Sequence, residues 1–365
     1  MKQYLDVLKQ IIDEGHEHVA RTQSNRISIF GIQCKYKLEN NEIPLVTTRK
    51  IFTKALIREL LWFIAGDTDT SYLEEAKANI WKQWDVREEH IEAFADKINQ
   101  SDVPEDRELL VNALKERYYK QIGPMYGAMW RNAPNTQVHT KSPLVDLEDI
   151  PSDKLAYYKE QYEGTVAIKP ELKDQISFET YAGLSYRSTI DQLNELIINL
   201  KKRPYSSRHV VTAWVPEFVP YETVSPQENV LLGKGALAPC HAIFQCFVKP
   251  PKEENGKPRL SLLMYQRSID APVGCPYNIA QYSILLYMLA HVTDMEVDEF
   301  IHSMGDTHIY SDQLELAKEQ VKREPLPLPK IWLNPEIKSI YDFTEDDIKI
   351  LDYQHHEPIN YPVAQ

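Results

Sequence analysis

The residues from Asn278 to Met295 read as one long helix in which Ile279, Tyr282, Ile284, Leu285, Met288 and Leu289 all favour burial. A second helical stretch, Thr53 to Ile64, is apolar over much of its circumference yet carries a carboxylate at Glu59. Helices of this kind need cover, and a chain of 365 residues can build a core large enough to give it, in one large domain or two small ones. Residues 3–20 also read as a helix, with Tyr4, Leu5, Leu8, Ile11 and Ile12 on one face. Strand patterns run through 27–38, 206–216, 239–249, Met304–Tyr310 and 348–353. Helices and strands are mixed rather than alternating regularly, which predicts an α+β fold.

Composition narrows the function. The hydrophobic content of 43% and charged content of 26% are those of an ordinary globular protein. A net charge of -13 argues against a broad nucleic-acid-binding surface, so phosphate recognition should be local, through a few arginines. Cys34, Cys240, Cys246 and Cys275 show no repeated metal-ligand spacing, which predicts free thiols, a reducing compartment and no metal. No apolar segment approaches a membrane span and the first residues lack a signal peptide's apolar core, so a cytoplasmic location is expected.

The chemistry concentrates around Leu237-Ala238-Pro239-Cys240-His241 and, downstream, Tyr265-Gln266-Arg267-Ser268, Asp270, Gly274 and Pro276-Tyr277-Asn278. A thiolate becomes a strong nucleophile when a nearby cation lowers its pKa. Arg267 could be that cation, and its planar fork could also grip a phosphate. The constellation reads as a cysteine nucleophile facing a phosphorylated substrate. Cys246, further along the same strand, and Cys275, in a turn, lack the Pro-Cys-His context and read as structural.

Ordered blocks along nearly the whole chain resemble the thymidylate synthase family. They include Arg21-Thr22, Pro44-Leu45-Val46-Thr47-Thr48, Glu59-Leu60-Leu61-Trp62-Phe63, Ile80-Trp81 and Trp84. Gly123-Pro124-Met125-Tyr126-Gly127, Ser207-Arg208, Ala213-Trp214, the cysteine window, Gly305-Asp306-Thr307-His308-Ile309-Tyr310 and Tyr361-Pro362-Val363-Ala364 follow in order. The resemblance implies a large mixed sheet packed with helices, a two-fold homodimer, and one-carbon transfer from 5,10-methylenetetrahydrofolate to C5 of dUMP. It further implies Cys240 as the nucleophile at C6, Glu59 organising water near O4, Tyr126 aiding removal of the C5 proton, and His241 tuning the same water. Asn278 would read uracil through O4 and N3–H, with an N-cap role for the helix beside it. Arg21, Arg267 and Ser268 would hold the phosphate, with Arg208 reaching over from the partner. His308 and Tyr310 would bond the sugar hydroxyl. Ile80, Trp81, Asp270 and Gly274 would face the folate, and Arg49 and Lys50 its glutamate tail.

Three departures stand out. Serine at 207 occupies the place of the first of two adjacent arginines, with Arg187, Lys202 or Arg203 as candidate replacements. Lys82 follows the tryptophan where an acidic residue is usual, and the chain ends in Gln365 rather than an aliphatic residue. The last two keep open a deoxyuridylate hydroxymethylase, in which water instead of hydride ends the reaction. A non-catalytic RNA-binding or assembly protein fits the intact cysteine, arginine and asparagine set less well. A single domain spanning 1–365 is expected, with insertions at about 86–121, 135–187 and 217–235 that read as polar surface, a lid, a dimer extension or a partner surface.

Overall fold

The structure, a computed structural model, describes residues 1–18, 25–78, 80–99, 104–135, 148, 150–168, 177–178 and 188–363. Arg21, Arg187, Ala364 and Gln365 lie outside the described residues. The chain forms two compact units, one of Met1–Trp130 with Gln192–Gln365, the other of Arg131–Asp191.

The chain opens with α1 (Lys2–Glu14), β1 (His16–His18) and the long β2 (Arg26–Lys37), then α2 (Thr53–Ala65), α3 (Ser71–Glu75), α4 (Glu88–Ile98), α5 (Pro104–Tyr118) and α6 (Gly127–Asn132). In the smaller unit β3 (Ala133–Asn135) pairs antiparallel with β4 (Ser188–Ile190), and α7 (Ser152–Ile168) lies between them in sequence. The larger unit resumes with α8 (Gln192–Lys202), β5 (Val210–Thr212), α9 (Pro226–Leu231), β6 (His241–Lys249), β7 (Arg259–Asp270) and α10 (Gly274–Thr293). It closes with β8 (Glu296–Tyr310), α11 (Leu314–Gln320), β9 (Lys330–Leu333) and β10 (Ile348–Leu351).

Six strands form one mixed sheet in the order β1-β2-β8-β7-β6-β5. Only β7 and β8 run parallel; the other pairings are antiparallel. Parallel neighbours require a crossover, and α10 supplies it. This helix is apolar on all sides and is accordingly buried along nearly its whole length, from Cys275 to Thr293. The α+β class and the large mixed sheet are as the sequence predicts. α2 ends where Gly66 adopts the left-handed conformation (φ 75°) and its N–H bonds back to the carbonyls of Trp62 and Phe63.

Several element boundaries differ from expectation. α1 stops at Glu14, and the next residues pair as β1 with β2. Only Val210–Thr212 of the 206–216 segment is strand; on its flanks the Arg208 N–H bonds the Ser206 hydroxyl and the Trp214 N–H bonds the Thr212 hydroxyl instead. β8 begins at Glu296, well before Met304. α10 begins at Gly274, so Cys275 lies in a helix rather than a turn, and Val273, not Asn278, is the N-cap.

Alternation along β6 buries Phe244, Cys246 and Val248 and leaves Ile243 and Phe247 outward. The register places Ile243 opposite Tyr265, and all three outward side chains, with Val210, remain exposed. These four side chains form an open apolar patch on the outward face of β5, β6 and β7. The 86–121 segment consists largely of α4 and α5, the latter without a buried residue. The 217–235 segment holds α9. No helix among the described residues is long and apolar enough to cross a membrane.

Candidate active site

Cys240 immediately precedes β6, and pairing of His241 with Gln266 brings it against Arg267 of β7. Arg267 donates from Nε to the Pro239 carbonyl (2.9 Å) and from Nη2 to the Ala238 carbonyl (2.7 Å). Nη2 also lies 3.9 Å from Cys240 Sγ, and the guanidinium sits 5.4 Å from the Trp214 ring centre. None of these partners cancels its charge, and no carboxylate pairs with it among the described residues. Burial raises the Cys240 thiol above its ordinary pKa, with Arg267 and then Tyr126 pulling it down. The cation expected from sequence is therefore present, but it opposes a larger desolvation.

The Cys240 backbone N–H donates to the Tyr126 hydroxyl (3.0 Å). Burial holds the phenol far above its usual range, so Tyr126 is neutral and keeps its own proton to donate. Its φ of 41° is left-handed, a costly state for a bulky residue that must be held by its surroundings. The next residue explains part of that hold. A Cβ at Gly127 would meet the Phe63 carbonyl oxygen at 2.1 Å, so only glycine lets this turn approach α2 so closely. The Tyr126 ring then stacks on Phe63 (5.0 Å) and meets Trp81 edge-on (5.7 Å).

Glu59 projects from α2 into this cluster, buried, accepting from Trp81 Nε1 (2.8 Å) and from the Gln281 side-chain amide. Burial raises its pKa to about 7, against the opposing bonds from Gln281 and Trp81. A carboxyl so poised can hold or release a proton near neutral pH. Because the folded pKa lies above the ordinary 4.5, the folded protein binds the proton more tightly than the unfolded chain, and stability falls as pH rises from about 4.5 through 7. Glu59→Gln should remove up to about 3 kcal/mol of that fall, a limit set by the size of the shift. Denaturant melts of both proteins at about pH 5 and pH 8 measure it; equal pH dependence would show that Glu59 titrates normally.

His241 is buried beside Asn278, and burial lowers its pKa to about 4, so it is neutral. Asn278 Oδ1 accepts from Gln266 Nε2 (3.0 Å). Gln266 is itself oriented on two sides: Nε2 donates to the Ser268 carbonyl (3.3 Å), and Oε1 lies 2.9 Å from His302 Nε2. A carbonyl can only accept, so the Gln266 amide nitrogen is identified and the sense of the Asn278 amide follows. Burial lowers His302 to about 3, so its neutral ring donates through Nε2. Gln266, His302 and Gln281 had no role assigned from sequence. Two carried a signal: Gln266 stands on the inward parity of β7, and Gln281 is an amide on an otherwise apolar helix face.

The carboxyl ends of the parallel pair carry the remaining residues. The register sets Ser268 opposite Asp306 and Asp270 opposite His308. His308 Nδ1 lies 3.2 Å from Asp306, which pairs with Arg26 (2.6 Å), and the His308 and Tyr310 rings meet edge-on at 5.1 Å. Asp270 is largely buried, which raises its pKa; Oδ1 accepts from Val273 N (2.9 Å) and Oδ2 from Gln313 Nε2 (2.9 Å). Gln313 also donates to the Pro362 carbonyl (2.9 Å), which ties the closing Tyr-Pro segment to this edge.

Some expected contacts are placed elsewhere. Arg49 is buried; it donates to the Pro272 carbonyl (2.7 Å) and lies over Tyr361 (5.5 Å) and Tyr277 (6.0 Å), so its guanidinium holds the C-terminal segment rather than reaching outward. Its neighbour Lys50 is exposed over Phe52. Trp81 is buried, while Ile80 beside it is 38% exposed. Gly274 opens α10. Arg208 is exposed just before β5, with no carboxylate partner among the described residues, and the Ser207 carbonyl accepts from Gln245 (3.1 Å). Lys202 and Arg203 are exposed at the end of α8. No group of His, Cys, Asp or Glu among the described residues could hold a metal ion.

The site is a half-buried cysteine thiol beside an uncancelled arginine, with a neutral phenol, a titratable carboxyl and oriented amides around it. The family described as thymidylate synthase matches residues 2–365. A protein of Mycoplasma mobile named thymidylate synthase is 37% identical over all of this chain and all of its own length. Thymidylate synthase of Saccharomyces cerevisiae is 36% identical over 98% of this chain and 95% of its own, and that of Francisella philomiragia 34% over the whole of both. The chain belongs to the thymidylate synthase family, a family of methyltransferases. The hydroxymethylase alternative draws no support from these relatives.

Proposed function

We propose that the chain methylates dUMP at C5, taking the one-carbon unit from 5,10-methylenetetrahydrofolate and producing dTMP and dihydrofolate. The observation that carries this reading is Cys240 held within reach of Arg267 and Tyr126 beside the oriented amide of Asn278. C5 of a pyrimidine is a poor nucleophile. Attack of the Cys240 thiolate on C6 moves the C5–C6 electron pair into an enolate that ends on O4, and C5 becomes able to attack carbon. Glu59 orders water near O4, the neutral Tyr126 phenol bonds the water that takes the C5 proton, and neutral His241 bonds within the same water network. When bound, the folate supplies the methylene carbon and the hydride.

Asn278 reads the base, with Oδ1 accepting from N3–H and the amide nitrogen donating to O4. Arg267 and Ser268 hold the phosphate, joined by Arg21, as the family resemblance implies. His308 and Tyr310 bond the sugar. The exposed apolar Ile80, the Trp81 indole and the acceptor Asp270 fit a folate ring that is flat, partly apolar and rich in N–H donors. Gly274 would lie beside it.

The second copy of the chain would cover the open sheet face of Val210, Ile243, Phe247 and Tyr265, a patch that an isolated subunit would expose to water. Arg208, next to that face, would then enter the partner's phosphate site. Subunit complementation tests this. When a Cys240→Ser protein is mixed with an Arg208→Ala protein under exchange, a fraction of heterodimers should carry one intact site and recover activity that neither parent shows. No recovery despite proven exchange would place Arg208 in its own subunit's site. The reaction itself is tested by mass analysis of the product from dUMP and methylenetetrahydrofolate; 5-hydroxymethyl-dUMP instead of dTMP would overturn it.

A further inference from the structure

Ile80 and Trp81 lie in sequence between two carboxylates, Glu74 on α3 and Asp85 just before the 86–121 insertion. Arg87, at the head of α4, bridges them: Nη2 bonds Glu74, and Nε donates to Asp85 Oδ1 (2.7 Å). Asp85 is fully buried and also accepts from Thr70 Oγ1 (2.6 Å). Arg87 is the one cation paired with it among the described residues. The exit of the insertion joins the same cluster. Lys120, after α5, pairs with Glu74 (2.8 Å), its carbonyl accepts from Thr70 N (3.0 Å), and its N–H donates to the Val86 carbonyl (2.7 Å). The bonds from Lys120 and then Arg87 hold the Glu74 carboxyl down at about 2, so it stays charged throughout the working range.

Two more tethers act on the loop itself. Gln227 of α9, in the 217–235 segment, donates to the Gln83 carbonyl (2.9 Å), and Arg58 of α2 bonds the Ala76 carbonyl. The Trp81 side chain donates inward to Glu59 (2.8 Å). The loop is therefore gripped at its beginning, its end and from the side, and two of the three grips come from segments that read as surface additions.

We propose that Arg87 is a positioning residue for folate binding: by spanning Glu74 and Asp85 it fixes the loop that presents Ile80 and Trp81 to the cofactor, and the 86–121 insertion acts as a buttress for that loop. The inference rests on the reading of Ile80 and Trp81 as folate-facing. Loss of Arg87 leaves the Asp85 charge buried and uncompensated, so the loop must shift to rehydrate it. The groups placed around dUMP sit mainly on β6, β7, β8 and α10, and among the described residues the bond from Trp81 to Glu59 links this cluster to them.

The test compares Arg87→Met, which keeps the apolar stem, with Trp81→Ala, measuring KM for methylenetetrahydrofolate and equilibrium affinity for dUMP. Both should raise the folate KM by about tenfold or more, since small misplacements of a binding wall are felt strongly; Arg87→Met should leave dUMP affinity within about twofold, while Trp81→Ala, which also takes a hydrogen bond from Glu59, is judged on the folate KM alone. If Trp81→Ala raises the folate KM and Arg87→Met does not, the buttress is wrong and the folate wall stands. If Trp81→Ala itself leaves the folate KM unchanged, the underlying reading fails. If Arg87→Met weakens dUMP and folate alike, the cluster only holds the fold, and the proposal fails. Should Arg87→Met not fold, Glu74→Gln, which preserves shape and removes one charge, is judged by the same split, with an expected rise of about threefold.

Discussion

Replacing Cys240 with Ser should lower turnover by about four orders of magnitude or more while changing dUMP affinity less than about threefold, because an alcohol is a far weaker nucleophile at neutral pH. The geometry makes this separation of effects possible. Arg267 is held by the Pro239 and Ala238 carbonyls and by the Trp214 ring, so removing the sulfur leaves the cation proposed to bind the phosphate in place. Single-turnover kinetics and equilibrium titration with dUMP measure the two quantities. With a 5-fluoro analogue of dUMP and folate, the parent should form a covalent adduct visible in the intact mass, since fluorine cannot leave C5 as a proton does. The serine variant should form none. Near-parent turnover in the variant would rule out covalent catalysis by this residue.

Asn278→Asp should lower the preference for dUMP over dCMP by about three orders of magnitude, as expected when a buried site loses one hydrogen-bond pattern and gains its complement. In the parent, Gln266 Nε2 occupies one side of Oδ1 and fixes the amide sense, so the asparagine cannot turn over to suit cytosine without setting two amide nitrogens face to face. A carboxyl in its place accepts from Gln266 equally well. When protonated it can also donate to cytosine N3 and accept from the exocyclic amine. Relative kcat/KM values for the two nucleotides check the outcome. Loss of activity on dUMP with no relative gain for dCMP would mean that Asn278 serves structure alone.

Much of this site was legible because its residues sit in short, ordered blocks. Cys240, Arg267 and Asn278 belong to segments whose composition already suggested chemistry, and the sheet brings them together through one register, His241 opposite Gln266. Local pattern also sufficed for α10, where an apolar surface on all sides leaves burial as the only stable outcome, and for α2, which is apolar over much of its circumference. What was not legible depended on who meets whom across the fold. Arg49 looks like an outward cation in its Thr-Arg-Lys context, and only the packing of Tyr277 and Tyr361 shows it buried. The start of α10 was misjudged because Gly274 and Pro276 read as turn residues, although proline is well tolerated in a first helical turn. Tyr126 gives no local hint of its left-handed backbone, which depends on the approach of Gly127 to Phe63.

The burial of α10 on every side constrains how such an enzyme could change its preference. A helix wedged between the sheet and its neighbours cannot slide to meet a different base, so the position of Asn278 is inherited with the core. What remains open to change is the hydrogen-bonding alphabet of the amides around it. Gln266 and His302 lie deep enough that exchanging a donor for an acceptor of similar volume alters which edge of a pyrimidine is matched, with little loss of packing. New specificity in this scaffold should therefore arise by rewriting buried polarity in place, while the loops around it stay as they are.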